Sequence, residues 1–301
     1  MSTKTALVIR ATGSQSNGVI NHLAKSGWNI RAFVNDPTAE RAQALQKYSN
    51  NVTLHKGTLD NASSVEAAIK GCNAVFLTQF PSFTDDSETR DARNLLQLAK
   101  AAGVKHIVHT TQLALADPNF ITNEKWTNSI LRPAVIGKYE VEQLVRDSGI
   151  PYTILRPGWF MTNITLPMVN YYFPEIAQGK ITSSYQRDGI LATVDTDDIG
   201  AFVAAAFNHP EKFTGQTISV VSENLTTAQL IEQISEVKGT KYNVHYRTAE
   251  ETAALGNDPI TLGQTLTHGL ERFANMDEIK SWGVPLTTFR EFLEKNKSKL
   301  A

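Results

Sequence analysis

Two groups of residues in this chain could do chemistry. The first is the stretch Ala6-Leu7-Val8-Ile9-Arg10-Ala11-Thr12-Gly13-Ser14-Gln15-Ser16-Asn17-Gly18-Val19-Ile20. An apolar, β-branched run, a turn of small residues and an amphipathic helix together aim backbone N–H groups and a positive helix end at a pyrophosphate. In a G-x-x-G-x-x-G spacing Gly13 is retained, whereas Arg10 and Ser16 stand where glycine is expected. Thr12, Ser14, Gln15 and Ser16 offer side-chain or backbone donors to a phosphate. Arg10 has two readings: its guanidinium adds to phosphate binding, or its bulk at a position that should lack a Cβ blocks the pyrophosphate. The second group is aromatic. Phe80 and Phe83 follow Thr78-Gln79, and Trp159-Phe160 follow Pro157-Gly158 and lead to Asn163. Ring faces converging on one cleft predict an apolar or aromatic substrate pocket.

Other chemistries find little support. The seven histidines, His22, His55, His106, His109, His209, His245 and His268, show no metal-ligand spacing. His109 is a weak candidate base, because it shares a β run with His106 and one of the two must point away from any cleft. The single cysteine, Cys72, excludes an intramolecular disulfide and reads as a small buried residue after Gly71. Neither a Gly-x-Ser-x-Gly elbow nor a Walker lysine motif is present.

Positioning these residues requires an alternation of strands and helices. Strands are predicted at Ala6–Ile9, Asn29–Val34, Val52–Lys56, Ala74–Thr78, His106–Thr110 and Tyr152–Arg156. Helices are predicted over Gly18–Ser26, Ala39–Ser49, Ser63–Lys70 and Thr89–Ala102, most of them closed by a glycine suited to positive φ. This is the pattern of a Rossmann-type, doubly wound α/β sheet, whose ligands gather at the carboxyl ends of the strands. After Pro157 the alternation breaks into aromatic sequence through Tyr171-Tyr172-Phe173-Pro174, which suits a lid or a smaller α+β substrate lobe. The chain is expected to return to the sheet at Thr193–Gly200, with the apolar helix Ala201–Phe207, a strand Gln216–Val221 and helices Leu225–Lys238 and Thr287–Lys297 after it. Residues 1–157 and 189–222 are thus assigned to the Rossmann domain, and 158–188 and 223–301 to the smaller lobe.

The chain has 301 residues, enough for one large α/β domain with a second lobe. Lys and Arg total 29 against 30 Asp and Glu, and no block of like charge suggests direct nucleic-acid binding. Met1–Thr5 enters a short strand directly, and no run reaches the about 18 apolar residues of a membrane span. A soluble, cytoplasmic protein without membrane attachment is expected.

Taken together, four segments resemble the NmrA-like group of atypical short-chain dehydrogenase/reductases, which includes isoflavone-reductase-like enzymes and cofactor-sensing regulators. They are Ala11–Gln15, Gly137-Lys138-Tyr139-Glu140-Val141-Glu142, Asp147–Gly158 and Val194–Gly200. The resemblance implies a Rossmann domain that binds NADP(H) more readily than NAD(H), with Pro157–Asn163 covering the nicotinamide. It also implies that Lys138 lies on a helix beside the nicotinamide ribose and, in enzymes, assists proton transfer. The tyrosine four residues before that lysine is replaced by Ala134, and Thr111 is the nearest counterpart of the usual serine. At the second strand, Asn35-Asp36-Pro37 lacks the arginine common in relatives that take a 2′-phosphate, although Arg31 or Arg41 could compensate, and Thr58 replaces an adenine-contacting Asp. Three functions follow as expectations. One is an NAD(P)H-dependent reductase of a small, largely apolar carbonyl, enone or quinone, with Lys138 as its catalytic residue. The others are a non-catalytic NAD(P) sensor acting on a protein partner, and a cofactor-degenerate scaffold that binds or rearranges an aromatic molecule.

Overall fold

The computed structural model describes residues 4–301. Its first half runs β1 (Thr5–Val8), α1 (Ser14–Lys25), β2 (Asn29–Val34), α2 (Glu40–Gln43), β3 (Val52–Lys56), α3 (Ala62–Ile69), β4 (Ala74–Leu77), α4 (Ser87–Ala101), β5 (His106–Thr110), α5 (Glu124–Thr127), α6 (Arg132–Asp147) and β6 (Tyr152–Pro157). The second half continues with β7 (Trp159–Phe160), α7 (Val169–Tyr172), β8 (Lys180–Ser183), β9 (Ile190–Val194), α8 (Thr196–Asn208), α9 (Pro210–Phe213), β10 (Thr217–Val220), β11 (Glu223–Thr226), α10 (Thr227–Lys238) and β12 (Asn243–Tyr246). Four helices close the chain: α11 (Ala249–Ala254), α12 (Pro259–Leu266), α13 (Met276–Ser281) and α14 (Phe289–Lys295).

Seven strands form one sheet in the order β10-β6-β5-β4-β1-β2-β3, all pairs parallel. Strand order reverses between β1 and β4, which opens a crevice at their carboxyl ends. All four residues of β4 are buried, as a central parallel strand covered on both faces requires. One face packs α1 and α8 through Val19, Ile20, Leu23, Phe202 and Phe207. The other packs α3, α4 and α6 through Val65, Leu95, Leu96, Val141 and Val145.

The α1–α8 contact is unusually close. A Cβ on Gly200 would stand 2.2 Å from the carbonyl carbon of Gly18, and one on Gly18 would meet the Thr196 oxygen at 2.8 Å. Two glycines therefore let the helix backbones touch. Asp197, on α8, adds a hydrogen bond with His22 of α1 at 3.1 Å.

Sequence and structure agree for the strands from Asn29, Val52 and His106, and the glycines expected to close helices, Gly27, Gly71 and Gly103, have φ of 76°, 77° and 72°. Helix α1 begins at Ser14, four residues before the expected Gly18, so the turn after β1 is tighter than the apolar periodicity suggested. Ala39–Ser49 is not one helix but a single α-turn followed by a 3-10 segment. The expected return to the main sheet near Thr193 is corrected: β9 pairs with β7 and β11 in a separate three-stranded sheet. That sheet, a β8–β12 pair and helices α10 and α14 enclose a second core around Trp159, Ile181, Leu191, Ile231 and Phe289.

Candidate functional site

The turn after β1 is built around Arg10, whose φ is 49°, the one non-glycine residue with positive φ among those described. Arg10 thus holds a backbone conformation that glycine adopts freely and other residues adopt at a cost. Its carbonyl accepts the Gly13 N–H at 2.8 Å, and a Cβ on Gly13 would stand 3.2 Å from that oxygen. The turn keeps its shape despite the lost glycine, and α1 starts without a side-chain cap. Its first N–H groups therefore face the crevice without intrahelical partners. Gln15 reaches Thr78 across the crevice at 3.5 Å, and its Oε1 is buried without a partner. Ser14 is exposed and Thr12 half-buried on the same turn.

Ser16 behaves differently from the expectation of a phosphate donor. Its side chain is fully buried, and its hydroxyl donates to the Ile9 carbonyl at 2.8 Å. It takes the glycine position by turning inward and tying helix to strand.

Two cavities lie at the carboxyl ends of the main sheet's strands, and Arg10 lines the first. The first, about 380 Å³, lies over β1, β2 and β4 and is lined by Arg10, Asn35, Thr58, Gln79, Phe80 and Glu88. The Arg10 guanidinium lies 5.0 Å above the Phe80 ring. Among the described residues Arg10 is the only cation lining this cavity, against the carboxylates of Asp60, Glu88 and Asp91. Arg31 does not compensate, because it donates to the Ala68 carbonyl at 2.8 Å and to that of Lys70 at 2.5 Å behind the sheet. Asp36 accepts from both the N–H and the hydroxyl of Thr38, which holds its carboxyl below the usual range and therefore charged.

The second cavity, about 260 Å³, opens at the ends of β5 and β6 and is lined by Thr111, Pro157, Trp159, Phe160, Asn163 and Leu266 among others. Helix α12 closes one side of it with Gly263 and Leu266. The expectation that Phe80 and Phe83 face this aromatic pocket is corrected. The loop after β4 bends over Arg10, so Phe80, 67% exposed, lines the first cavity, and Phe83, 40% exposed, lines neither. Trp159 is buried, its indole N–H donating to the Tyr185 hydroxyl at 2.7 Å.

Lys138 projects from α6 to the carboxyl end of β4. Its ammonium donates to the Gln79 carbonyl at 2.9 Å and to the Glu88 carboxylate. Both side chains are buried; burial pushes the Glu88 carboxyl up and the Lys138 ammonium down, each opposed by its partner's charge. Gly137 makes room for the pair, since a Cβ there would stand 2.9 Å from Glu88 Oε2, which has no hydrogen-bond partner. Tyr139 packs instead against the Leu115, Phe120 and Trp126 cluster, away from the ammonium. Thr111 donates to Glu142 at 3.3 Å, and Glu142 also binds Arg146 and Arg156, which lower its pKa against the effect of burial. His109 faces the α6 side, bonds the Leu77 carbonyl at 3.0 Å and is held neutral by burial, with its pKa lowered to about 4.

Glu88 and Glu142 were not foreseen as site residues. Glu88 shares one helix face with Ala92, Leu95, Leu96 and Ala99, all buried, so a carboxylate on that apolar stripe was the available signal. Glu142 lies one turn beyond Lys138 on the buried face of α6.

The family model for "NmrA-like family" matches residues 2–298. The chain belongs to the NmrA-like family. Quinone oxidoreductase 2 of Escherichia coli is 30% identical over 245 residues, covering 80% of this chain and 76% of that protein. The crystal structure of NmrA, a negative transcriptional regulator, in complex with NADP matches this NmrA-like chain with a TM-score of 0.73 at 21% identity, covering 98% and 95% of the two chains. The same regulator in complex with NAD matches with a TM-score of 0.69 at 22% identity, covering 100% and 93%. Both likenesses are of fold. Among the described residues no helix is long and apolar enough to cross a membrane, and no cluster of His, Cys, Asp and Glu could hold a metal.

Proposed function

We propose that this protein is an NAD(P)H-dependent reductase of a small, largely apolar carbonyl, enone or quinone. The observation that carries the reading is the buried Lys138 ammonium at the carboxyl end of β4, in the crevice that also holds the phosphate turn. Of its three N–H donors, two are engaged by Gln79 and Glu88, which leaves one for a ligand hydroxyl. The uncapped α1 terminus, Gly13 and the tight turn at Arg10 suit a pyrophosphate, and the Arg10 guanidinium supplies the cation beside it. Asn35 lines the first cavity, which we assign to the adenosine, and Thr111, Pro157, Trp159, Phe160 and Asn163 shape the other cavity. When bound, the nicotinamide supplies hydride to the substrate. Lys138 orients the ribose hydroxyl, the aromatic walls hold an apolar substrate and keep out water, and the final proton comes from solvent.

The charges lining the first cavity argue against a strong preference for NADP(H), because a 2′-phosphate would meet Asp60 and Asp91 with Arg10 as its sole cation. We expect dissociation constants for NADPH and NADH within about tenfold of each other.

A second reading, a non-catalytic NAD(P) sensor, is favoured by Glu88, which ties the ammonium into a buried ion pair. Titration with NADPH and NADH, followed by tryptophan fluorescence, tests both readings together. Binding of neither at sub-millimolar concentration refutes them. If cofactor binds, NADPH oxidation is assayed against a panel of quinones and enones; turnover that falls in Lys138→Ala supports the enzyme, and absence of turnover supports the sensor.

A further inference from the structure

A third cavity, about 390 Å³, lies wholly in the second half of the chain, between the β8–β9 loop and helices α11 and α12. It is larger than the pocket beside Thr111 and within the range that holds small organic ligands. Its walls are mostly apolar, including Ile190, Leu191, Ala249, Ala253 and Leu262. Among the described residues no carboxylate lines it. Arg247 is its one permanent charge, joined at the rim by the exposed His268.

The Arg247 guanidinium is half-buried and donates to the Ser184 hydroxyl at 3.1 Å. The carboxylates that act on it from neighbouring elements are Glu175 and Glu251. Glu175 is engaged by Lys180 and Thr182, and Glu251 by His245 and the Thr248 N–H. Each of these carboxylates has closer partners of its own, so the guanidinium retains donors for an incoming anion. The floor is pre-organised: Gln264, fully buried, accepts the Ser184 N–H at 2.7 Å, and the buried Thr227 hydroxyl donates to the Gly189 carbonyl at 3.3 Å.

We propose that this cavity is a second ligand site, separate from the cofactor crevice, for an amphipathic organic monoanion whose carboxylate meets Arg247 and whose flat apolar body lies against Ile190, Leu191 and Leu262. The site shares a wall with the aromatic pocket. Tyr185 lines it and accepts the hydrogen bond of Trp159, which lines the other, and Thr267 lines both. A ligand here touches the partition rather than the reacting atoms.

The experiment is calorimetric titration of the full chain with 1-naphthoate and with 1-naphthamide, which share a shape and differ in charge. We expect naphthoate to bind one to one and at least about tenfold more tightly than the amide. Arg247→Met brings naphthoate to the affinity of the amide and leaves the amide unchanged, whereas Arg247→Lys keeps part of the difference. Ala253→Trp, at an exposed lining position, weakens both ligands. Thermal unfolding of each variant reports whether it is folded. Failure of naphthoate to bind at millimolar concentration, equal affinities for the two ligands, or binding that survives Ala253→Trp overturns the proposal.

Discussion

Arg10 separates two properties that usually move together, stability and ligand affinity. Its φ of 49° imposes a strain of about 1 kcal/mol on any residue with a Cβ. Arg10→Gly relieves that strain but adds conformational freedom to the unfolded chain, a cost of about 0.5 kcal/mol. Arg10→Ala keeps the strain. Both substitutions lose the contact with Phe80, worth about 0.5 kcal/mol at an exposed site. The glycine variant is therefore expected to unfold in urea with a free energy close to that of the parent, and the alanine variant about 0.5 kcal/mol lower. Affinity for NADPH follows a different rule, because both variants remove the only cation of the first cavity. Loss of one charge-assisted hydrogen bond weakens binding about tenfold in each. Equal stability of the two variants would remove the argument from backbone strain. Tighter NADPH binding by Arg10→Gly would show that the guanidinium obstructs the pyrophosphate rather than holding it.

Three further outcomes are expected. Ser16→Ala lowers stability by about 1 kcal/mol, through loss of the buried bond to Ile9, and leaves NADPH affinity unchanged because the hydroxyl faces inward; a tenfold loss of affinity at unchanged stability would reverse that assignment. Gly200→Ala forces α8 away from Gly18 and costs on the order of 3 kcal/mol in urea unfolding; a change below the error of the measurement would deny the close contact. Acid unfolding has two windows. His109, lowered to about 4 in the folded protein, contributes stability that is complete above its unfolded value near 6.5 and is lost as pH falls towards 4. Asp197, lowered to about 2 first by its bond to His22, contributes stability that is present above about 4 and lost as pH falls towards 2. His109→Leu should shrink the upper window, to which the buried His106, also lowered to about 4, contributes as well, and Asp197→Asn should flatten the lower; a profile unaltered by either substitution contradicts the linkage.

Much of the fold was legible because the main sheet is written in local signals. Buried parallel strands read as short apolar runs, and helices ended at glycines that the structure places at positive φ. The second sheet was not legible. Strand β7 is two residues long, β9 pairs across a chain reversal with β11, and their partners lie far apart in sequence, so no local period announces them. Within the candidate site, the small-residue turn after β1 could be read directly, whereas the position of Lys138 on a helix came from the family resemblance and not from a local period. What Lys138 touches could not be read at all, because Glu88 comes from another helix and meets it only when α4 packs against α6. Phe80 and Phe83 failed for a related reason: topology puts a loop at one end of the sheet, but its bend decides which cavity a side chain joins.

The α1–α8 contact has a consequence for synthesis on the ribosome. Strands β1 to β6 are complete once Pro157 has been made, but α8, which covers the same face of the sheet as α1, does not begin until Thr196. During that interval the nascent chain presents a broad apolar surface, around Val108 and Leu155, whose eventual cover is still untranslated. Translation speed through the intervening aromatic segment, and chaperones able to shield that face, should therefore govern how much of this protein reaches its native state.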